Sequence, residues 1–416
     1  MMKHNILYIS YYFPPHCNTP SIRALELSTR LADYGYKLHV LSSFPLTRPV
    51  DNQLLRRINP QYIKNHSIIH LSHLFNLFEK YLQKISSRLD FIKFGFYFNW
   101  VPFALLEAIK IINKYKIKFI YSTGPPFNCF LLGYLLKKIF GIPLIIEYRD
   151  PWTHSPYVGK ITEKSFRKSH NLEKKILKAA DLIITISSAL DSYLKERFEK
   201  TLKNKSIFHL PSGININNLS NFPLNRNKIK NITFTFLGTL YGLRDPIYLV
   251  KILSLARKKI NLDSFSLKIK IFGDYNQPYF NSLISKYKLK EYFHLGGYLS
   301  REECLNEIIS STLPLHIGEN YNYPTISFKV WEYLSMGKKI LYFGRKDCYT
   351  AEFLEKHNLG YVIPINDTNL GAEKLVKLLK KISKGSLDLK VKKECLKKYS
   401  WNQRVNKLVH IFRKLG

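Results

Sequence analysis

Acidic residues are scarce in this chain. Asp and Glu together number 30 against 65 Lys and Arg, a formal charge of +35. No Asp-x-Asp pair occurs anywhere, so there is no dedicated carboxylate pair to hold a divalent metal against a diphosphate. A bound diphosphate would have to be neutralised by protein cations and helix N-termini. The basic excess points to anionic partners, namely phosphates, a membrane surface or nucleic acid, although Lys is spread along the whole sequence and part of the excess is a composition bias.

Cysteine is equally sparse. Cys17, Cys129, Cys304, Cys348 and Cys395 are odd in number, scattered and without Cys-x-x-Cys or Cys/His spacing, which excludes a disulfide framework and a zinc site. The most apolar stretch, FNCFLLGYLLKKIFGIPLII, is broken by Lys137, Lys138, Gly141 and Pro143, too interrupted to span a bilayer. The start, MMKHNILYISYYFPP, lacks the apolar core and cleavage site of a signal peptide, and a cytoplasmic location is expected. There is no Gly-x-x-x-x-Gly-Lys-Ser/Thr loop, no Gly-x-Gly-x-x-Gly after the first strand, no Gly-x-Ser-x-Gly and no His-Glu-x-x-His, which removes P-loop, classical dinucleotide, nucleophile-elbow and zincin readings.

What is present is alternation. At 416 residues and 45% apolar content, the chain has material for two large cores. Short Ile/Val/Leu/Tyr runs alternate with amphipathic segments, the pattern of βαβ units on parallel sheets. A first set runs NILYIS, KLHVLSS, KFIYST, PLIIEY, DLIITIS and SIFHLP; a second runs ITFTFLG, LKIKIFG, YFHLGG, STLPLHIG, KILYFG and LGYVIP. Between them SGININNLSNFPLNRNKIKN reads as a linker. The expected organisation is an α/β protein with an N-terminal Rossmann-like domain over 1–212, a second over 213–399, and a last helix over 400–416 that crosses back to the first. Residues 51–100 depart from the alternation and mix Arg and Lys with Phe, Tyr and Trp100, a pattern suited to an anionic bilayer face or to a packed insertion.

The residues with chemical potential lie after strands. In YPTISFKVWEYLSMGKK, Thr325 or Ser327 is expected to cap a helix of about three turns closed by Gly337, with Lys329 and Glu332 one turn apart. FLGTLYGLRDP puts Gly238 at a strand end and Arg244 near a helix start, where charge and free N–H groups attract phosphate. SYYFPPHCNTPSIR places His16, Ser21 and Arg23 around the first βα turn. In EYRDPWTHSPY, Asp150 can take a proton, Arg149 can offset a departing phosphate and His154 is an alternative base, with Trp152 expected in the core.

The series YYFPP, STGPPF, YRDPWT, ADLIITIS, LPSGIN, FLGTLYGLRDP, IFGD, GGYLSREECLNEIISSTLPLHIG and KVWEYLSMGKKIL resembles glycosyltransferase family 4. The resemblance implies a GT-B fold, two Rossmann-like domains facing each other across a cleft. It also implies a hexosyltransferase-type enzyme that moves a sugar from a nucleotide-sugar donor with retention, without cofactor or metal. Glu332 matches the second Glu of the family's Glu-x7-Glu motif, which holds the donor ribose, and Arg244 stands at the family's phosphate-binding Lys, with Lys329 and the Ser327 helix start as further donor contacts. There are departures. Pro324 occupies the first Glu position, so Glu319 is the candidate for its sugar contact; Thr239 replaces an Arg; HCNTPS replaces a Gly-Gly loop. The expected acceptor is a lipid-linked saccharide of surface polysaccharide synthesis, such as lipopolysaccharide or capsule, reached from the inner face of the plasma membrane by peripheral association. A nucleotide-sugar 2-epimerase of the same fold and a basic nucleic-acid-binding protein are the competing functions, the latter without a recognition motif.

Overall fold

The Leu-Ile-Ile run at 144–146 is buried on both faces of a sheet, as an apolar run bounded by Pro143 and a polar turn should be. The same logic places all but one strand of the computed structural model, which describes residues 4–44, 50–68, 100–156, 162–215 and 231–415. The chain divides into two compact units, Met1–Gly213 with Trp401–Gly416, and Ile214–Ser400.

Unit 1 contains β1 (Asn5–Ile9), α1 (Thr19–Asp33), β2 (Lys37–Ser43), β3 (Ile63–Ile68), α2 (Val101–Lys114), β4 (Ile117–Gly124) and α3 (Asn128–Phe140). It continues through β5 (Leu144–Tyr148), α4 (Glu163–Ala179), β6 (Leu182–Thr185), α5 (Ser188–Arg197), α6 (Glu199–Leu202) and β7 (Ile207–His209). The strands form a parallel sheet in the order β3-β2-β1-β4-β5-β6-β7, so the order reverses between β1 and β4. That reversal is where an open α/β sheet receives ligands beyond its strand ends.

Unit 2 contains β8 (Thr233–Leu240), α7 (Ile247–Lys259), β9 (Lys268–Tyr275), α8 (Gln277–Lys286), β10 (Phe293–Leu295), α9 (Arg301–Ser310) and β11 (Leu313–Ile317). It ends with α10 (Phe328–Ser335), β12 (Ile340–Gly344), α11 (Tyr349–Lys356), β13 (Gly360–Pro364), α12 (Thr368–Ser383) and α13 (Lys393–Lys397). Its sheet is parallel in the order β10-β9-β8-β11-β12-β13, with the reversal between β8 and β11. Period-2 alternation divides its core: Phe236, Ile271 and Leu341 join one apolar cluster, while their neighbours Leu237, Phe272 and Tyr342 join another.

The final helix, α14 (Trp401–Leu415), packs with unit 1. Phe412 meets Tyr36, Phe119 and Tyr121 with ring centroids 5.8, 5.6 and 6.3 Å away. The two chain crossings, after Gly213 and before Trp401, run side by side within their units. Ile214 N donates to Tyr399 O at 2.9 Å, and a Cβ on Gly213 would come within 2.6 Å of the Trp401 ring.

Residues 51–68 correct one expectation. They are part of the sheet architecture, with a single 3-10 turn at Asn52–Arg57 leading into edge strand β3, whose Lys64 and His66 alternate with Ile63 and Asn65. Trp100, expected among bilayer-facing aromatics, is fully buried, with Nε1 3.4 Å from Ser42 O. The remainder of that basic-aromatic segment, 69–99, and the linker core, 216–230, lie outside the described residues.

Candidate functional site

On unit 1 the polar residues gather after β1, β4 and β5. Asn18 caps α1 by accepting from Ser21 N at 3.1 Å, and the Ser21 side chain is fully buried, its Oγ without a partner among the described residues. His16 is buried and its Nε2 lies 3.3 Å from Ser43 O, tying the first loop to β2. Arg23, expected at the first turn, lies within α1 and is buried. Its guanidinium donates to Glu147 Oε1 at 2.6 Å, to Leu210 O at 2.8 Å and to Ser212 Oγ at 3.1 Å, and sits 5.5 Å from the Trp401 ring. It therefore joins α1, β5 and the end of unit 1, rather than meeting an acceptor in a loop.

Glu147 is a residue the sequence reading passed over. Burial by itself would raise its carboxyl, but the charge and hydrogen bond of Arg23, and a 2.7 Å bond from Thr123 Oγ1, hold it below the usual carboxylate range. Two residues on, Arg149 donates from N and Nε to Gly124 O at 2.9 and 3.3 Å and from Nη2 to Pro125 O. Burial lowers its pKa. Asp150 follows, half-buried. Trp152 is in the core as expected, stacked on Phe127 at 5.0 Å. His154 is a correction: its ring packs edge-on to Phe166 and Phe198, and Nε2 contacts His170 Nδ1 at 3.2 Å. Burial, then the charges of His170 and Arg197, lower its pKa to about 4, which makes it a weak base inside a packed cluster.

On unit 2 the strand ends at the reversal carry the charge. β8 runs on to Leu240, so Gly238 lies inside the strand rather than at its end, opposite Gly273 on β9. Gly238 and Gly273 have φ of 151° and 120°, and a Cβ on Gly273 would fall 2.1 Å from Gly238 O, so this pair admits no side chain there. The loop after β8 returns to the sheet, where Asn320 N donates to Leu243 O at 2.7 Å. Arg244 then meets Glu319, whose Oε1 accepts from Nε at 2.9 Å and from Nη2 at 2.5 Å. Glu319, the candidate sugar contact, thus lies on one edge of the Arg244 guanidinium. Arg244 also lines a cavity of about 180 Å³ with Tyr241, Asp245, Tyr275 and Tyr279.

The helix with the candidate ribose ligand begins beside this. α10 has Ser327 at its N-cap position, without a cap hydrogen bond from the side chain, while Thr325 sits farther back, buried. It closes after eight residues, shorter than the three turns expected, because Gly337 takes up φ 74° right after it. Lys329 Nζ and Glu332 Oε2 pair at 2.9 Å on its half-buried side. The Glu332 charge, ahead of the opposing effect of burial, raises the Lys329 pKa above the ordinary lysine range. Within reach of both cations' charge is buried His316, stacked on Tyr342 at 5.7 Å. Burial, then the charges of Arg244 and Lys329, lower its pKa to about 3. The structure thus gathers Arg244, Glu319, Ser327, Lys329 and Glu332 at one end of one sheet. Among the described residues no group of three His, Cys, Asp or Glu is placed to hold a metal ion, and no helix is long and apolar enough to cross a membrane.

Residues 21–218 match the family model described as Glycosyltransferase Family 4. That match covers just under half of the chain, nearly all of it within unit 1, so this stretch is similar to glycosyltransferase family 4. No curated protein matches the chain in sequence, but solved structures match nearly its whole length. Sucrose-phosphate synthase from Thermosynechococcus elongatus is 15% identical, covers 99% of both chains and has a TM-score of 0.65. A glycosyltransferase from Rickettsia africae is also 15% identical, covering 99% of this chain and 98% of its own, TM-score 0.64. TarM, an S. aureus protein, is 12% identical over 99% of both chains, TM-score 0.70. At these identities the likeness establishes the fold, the two Rossmann-like units of the GT-B class.

Proposed function

We propose that this glycosyltransferase takes its sugar from a nucleoside diphosphate donor held on unit 2 and passes it, with retention of anomeric configuration, to a saccharide acceptor received on unit 1. The observation that carries this reading is the convergence of Arg244, Lys329, Glu332 and the start of α10 at the reversal of the second sheet. Two cations and a helix start suit a diphosphate, and an adjacent carboxylate suits a pair of ribose hydroxyls. The departing charge is then balanced by guanidinium, ammonium and amide groups. TarM supports the nucleotide part, since one of its structures is a complex with UDP.

On unit 1 Asp150 is the acceptor-side carboxylate. The acceptor oxygen bonds to the anomeric carbon on the same face from which the diphosphate leaves, the bond from that carbon to the diphosphate oxygen breaks, and the hydroxyl proton goes to Asp150. A lipid-linked acceptor at an anionic membrane surface fits the net charge of +35.

Thermal unfolding with a panel of nucleotide sugars tests the donor half. A matching donor raises the midpoint by mass action, and Glu332→Ala removes that rise. Asp150→Ala keeps the rise and stops sugar transfer. A panel without any shift, or an Asp150→Ala protein with normal transfer, refutes the corresponding half. Cosedimentation with vesicles containing phosphatidylserine tests the membrane surface, and binding that persists at high salt without anionic lipid contradicts it.

A further inference from the structure

A fully buried carboxylate beneath the acceptor-side turn has no part in the chemistry above. Glu173, on α4, is 1% exposed. Its Oε2 accepts from Thr153 N at 3.1 Å and from Thr153 Oγ1, and its Oε1 accepts from Tyr148 OH at 3.1 Å. Tyr148 is the last residue of β5 and Thr153 lies just beyond Pro151 and Trp152, so the two donors bracket Arg149 and Asp150.

The surroundings make this a clamp. Arg149 is fastened to the carbonyls of Gly124 and Pro125 on one side of the turn, and Trp152 is stacked on Phe127. On the other side His154 contacts His170 of α4 at 3.2 Å, and its carbonyl accepts from Tyr193 OH of α5. Glu173 is the one carboxylate of α4 directed into this turn among the described hydrogen bonds. A buried carboxylate is retained against its desolvation only where its hydrogen bonds hold something in place.

We infer that Glu173 is a positioning residue for glycosyl transfer, holding the Tyr148–Thr153 turn so that Asp150 meets the acceptor hydroxyl. The inference rests on the role given to Asp150 above. Burial, ahead of the lowering effect of the bonds from Thr153 and Tyr148, pushes the Glu173 carboxyl up to about 7. A group held at that cost is tuned to its neighbours. A Gln keeps the shape but replaces one acceptor oxygen with an amide that meets donors on both sides, so it loosens the turn without opening a cavity.

The test uses the full chain and three variants, Glu173→Gln, Thr153→Val and Asp150→Asn. Amide hydrogen exchange over 149–155 rises at least tenfold in Glu173→Gln and several-fold in Thr153→Val, while unit 2 exchanges as in the unaltered protein. With the nucleotide sugar that stabilises the protein most, kcat falls at least tenfold per folded molecule and the donor KM stays within twofold. Adding Glu173→Gln to Asp150→Asn lowers turnover less than twofold further, because both act on one group. Unchanged exchange over 149–155, unchanged kcat per folded molecule, or losses that multiply in the double variant each overturn the inference. If Asp150→Asn by itself leaves turnover intact, the acceptor-side reading fails instead, and the exchange result still decides whether Glu173 holds the turn.

Discussion

Single atoms set the limits at several positions. Gly273 faces a backbone carbonyl 2.1 Å from where its Cβ would be, at φ 120°, so Gly273→Ala must push β9 away from β8. It is expected to lose about 3 kcal/mol of stability, read as a lower urea midpoint at constant slope. His316 gives a pH signature. Its folded pKa of about 3 lies below the ordinary histidine value of 6.5 that it has in the unfolded chain, so the unfolded chain binds the proton first as the pH falls. The stability it contributes is fully present above about pH 6.5 and is lost progressively toward about pH 3. His316→Gln should therefore flatten the stability profile over that window by about 1.4 kcal/mol per pH unit at its steepest. Denaturation at stepped pH measures this. Glu173 runs the opposite way: its raised pKa means stability present below the ordinary carboxylate range and lost as the pH climbs through about 7. Both residues were partly legible. Glu173 falls in phase with Ser169, Ile176 and Leu177 on the buried side of its helix, a Glu where an apolar residue belongs, and that mismatch was the available signal. His316 sits in an apolar strand run, and nothing in its neighbours along the chain announces Arg244 or Lys329.

Elements were the most readable level, because a buried parallel strand is an uninterrupted apolar run and the twelve runs picked out each coincide with a strand. β3 escaped, since IKNHSI alternates polar residues along a sheet edge and has no such run. Pairing between elements was not readable, as it depends on contacts across more than a hundred residues. Arg23 and Glu147 are 124 residues apart, and the sequence shows only an Arg after a loop and a Glu at a strand end. Their pair is buried, with side chains 3% and 0% exposed, and it fastens α1 to β5 and to Leu210 and Ser212. Glu147→Ala strands a buried guanidinium and should cost about 3–5 kcal/mol, whereas replacing Arg23 and Glu147 together by apolar residues should recover part of that loss. Guanidinium chloride unfolding of the single and double variants makes the comparison.

At the scale of the molecule, two units share one chain unequally. Trp401, Val405, Leu408, Val409 and Phe412 are all buried along α14. At about 2 kcal/mol for each such side chain, their burial contributes on the order of 10 kcal/mol, comparable to the whole stability of a domain. Deleting residues 401–416 should thus abolish the cooperative transition of unit 1 while unit 2 retains its own, and Phe412→Ala should lower the first by about 3–5 kcal/mol. Calorimetry resolves the two. The residues proposed to hold the donor all belong to Ile214–Ser400, so nucleotide should still stabilise the truncated chain.

The side-by-side crossings at Gly213 and Trp401 also fix an order of events in the cell. Unit 1 is closed by a helix that is translated only after the whole of unit 2. While the ribosome is still adding α14, unit 2 already has its entire sheet, and unit 1 waits with an uncovered apolar face. A newborn chain stalled before residue 401 would carry one finished lobe and one in need of a chaperone.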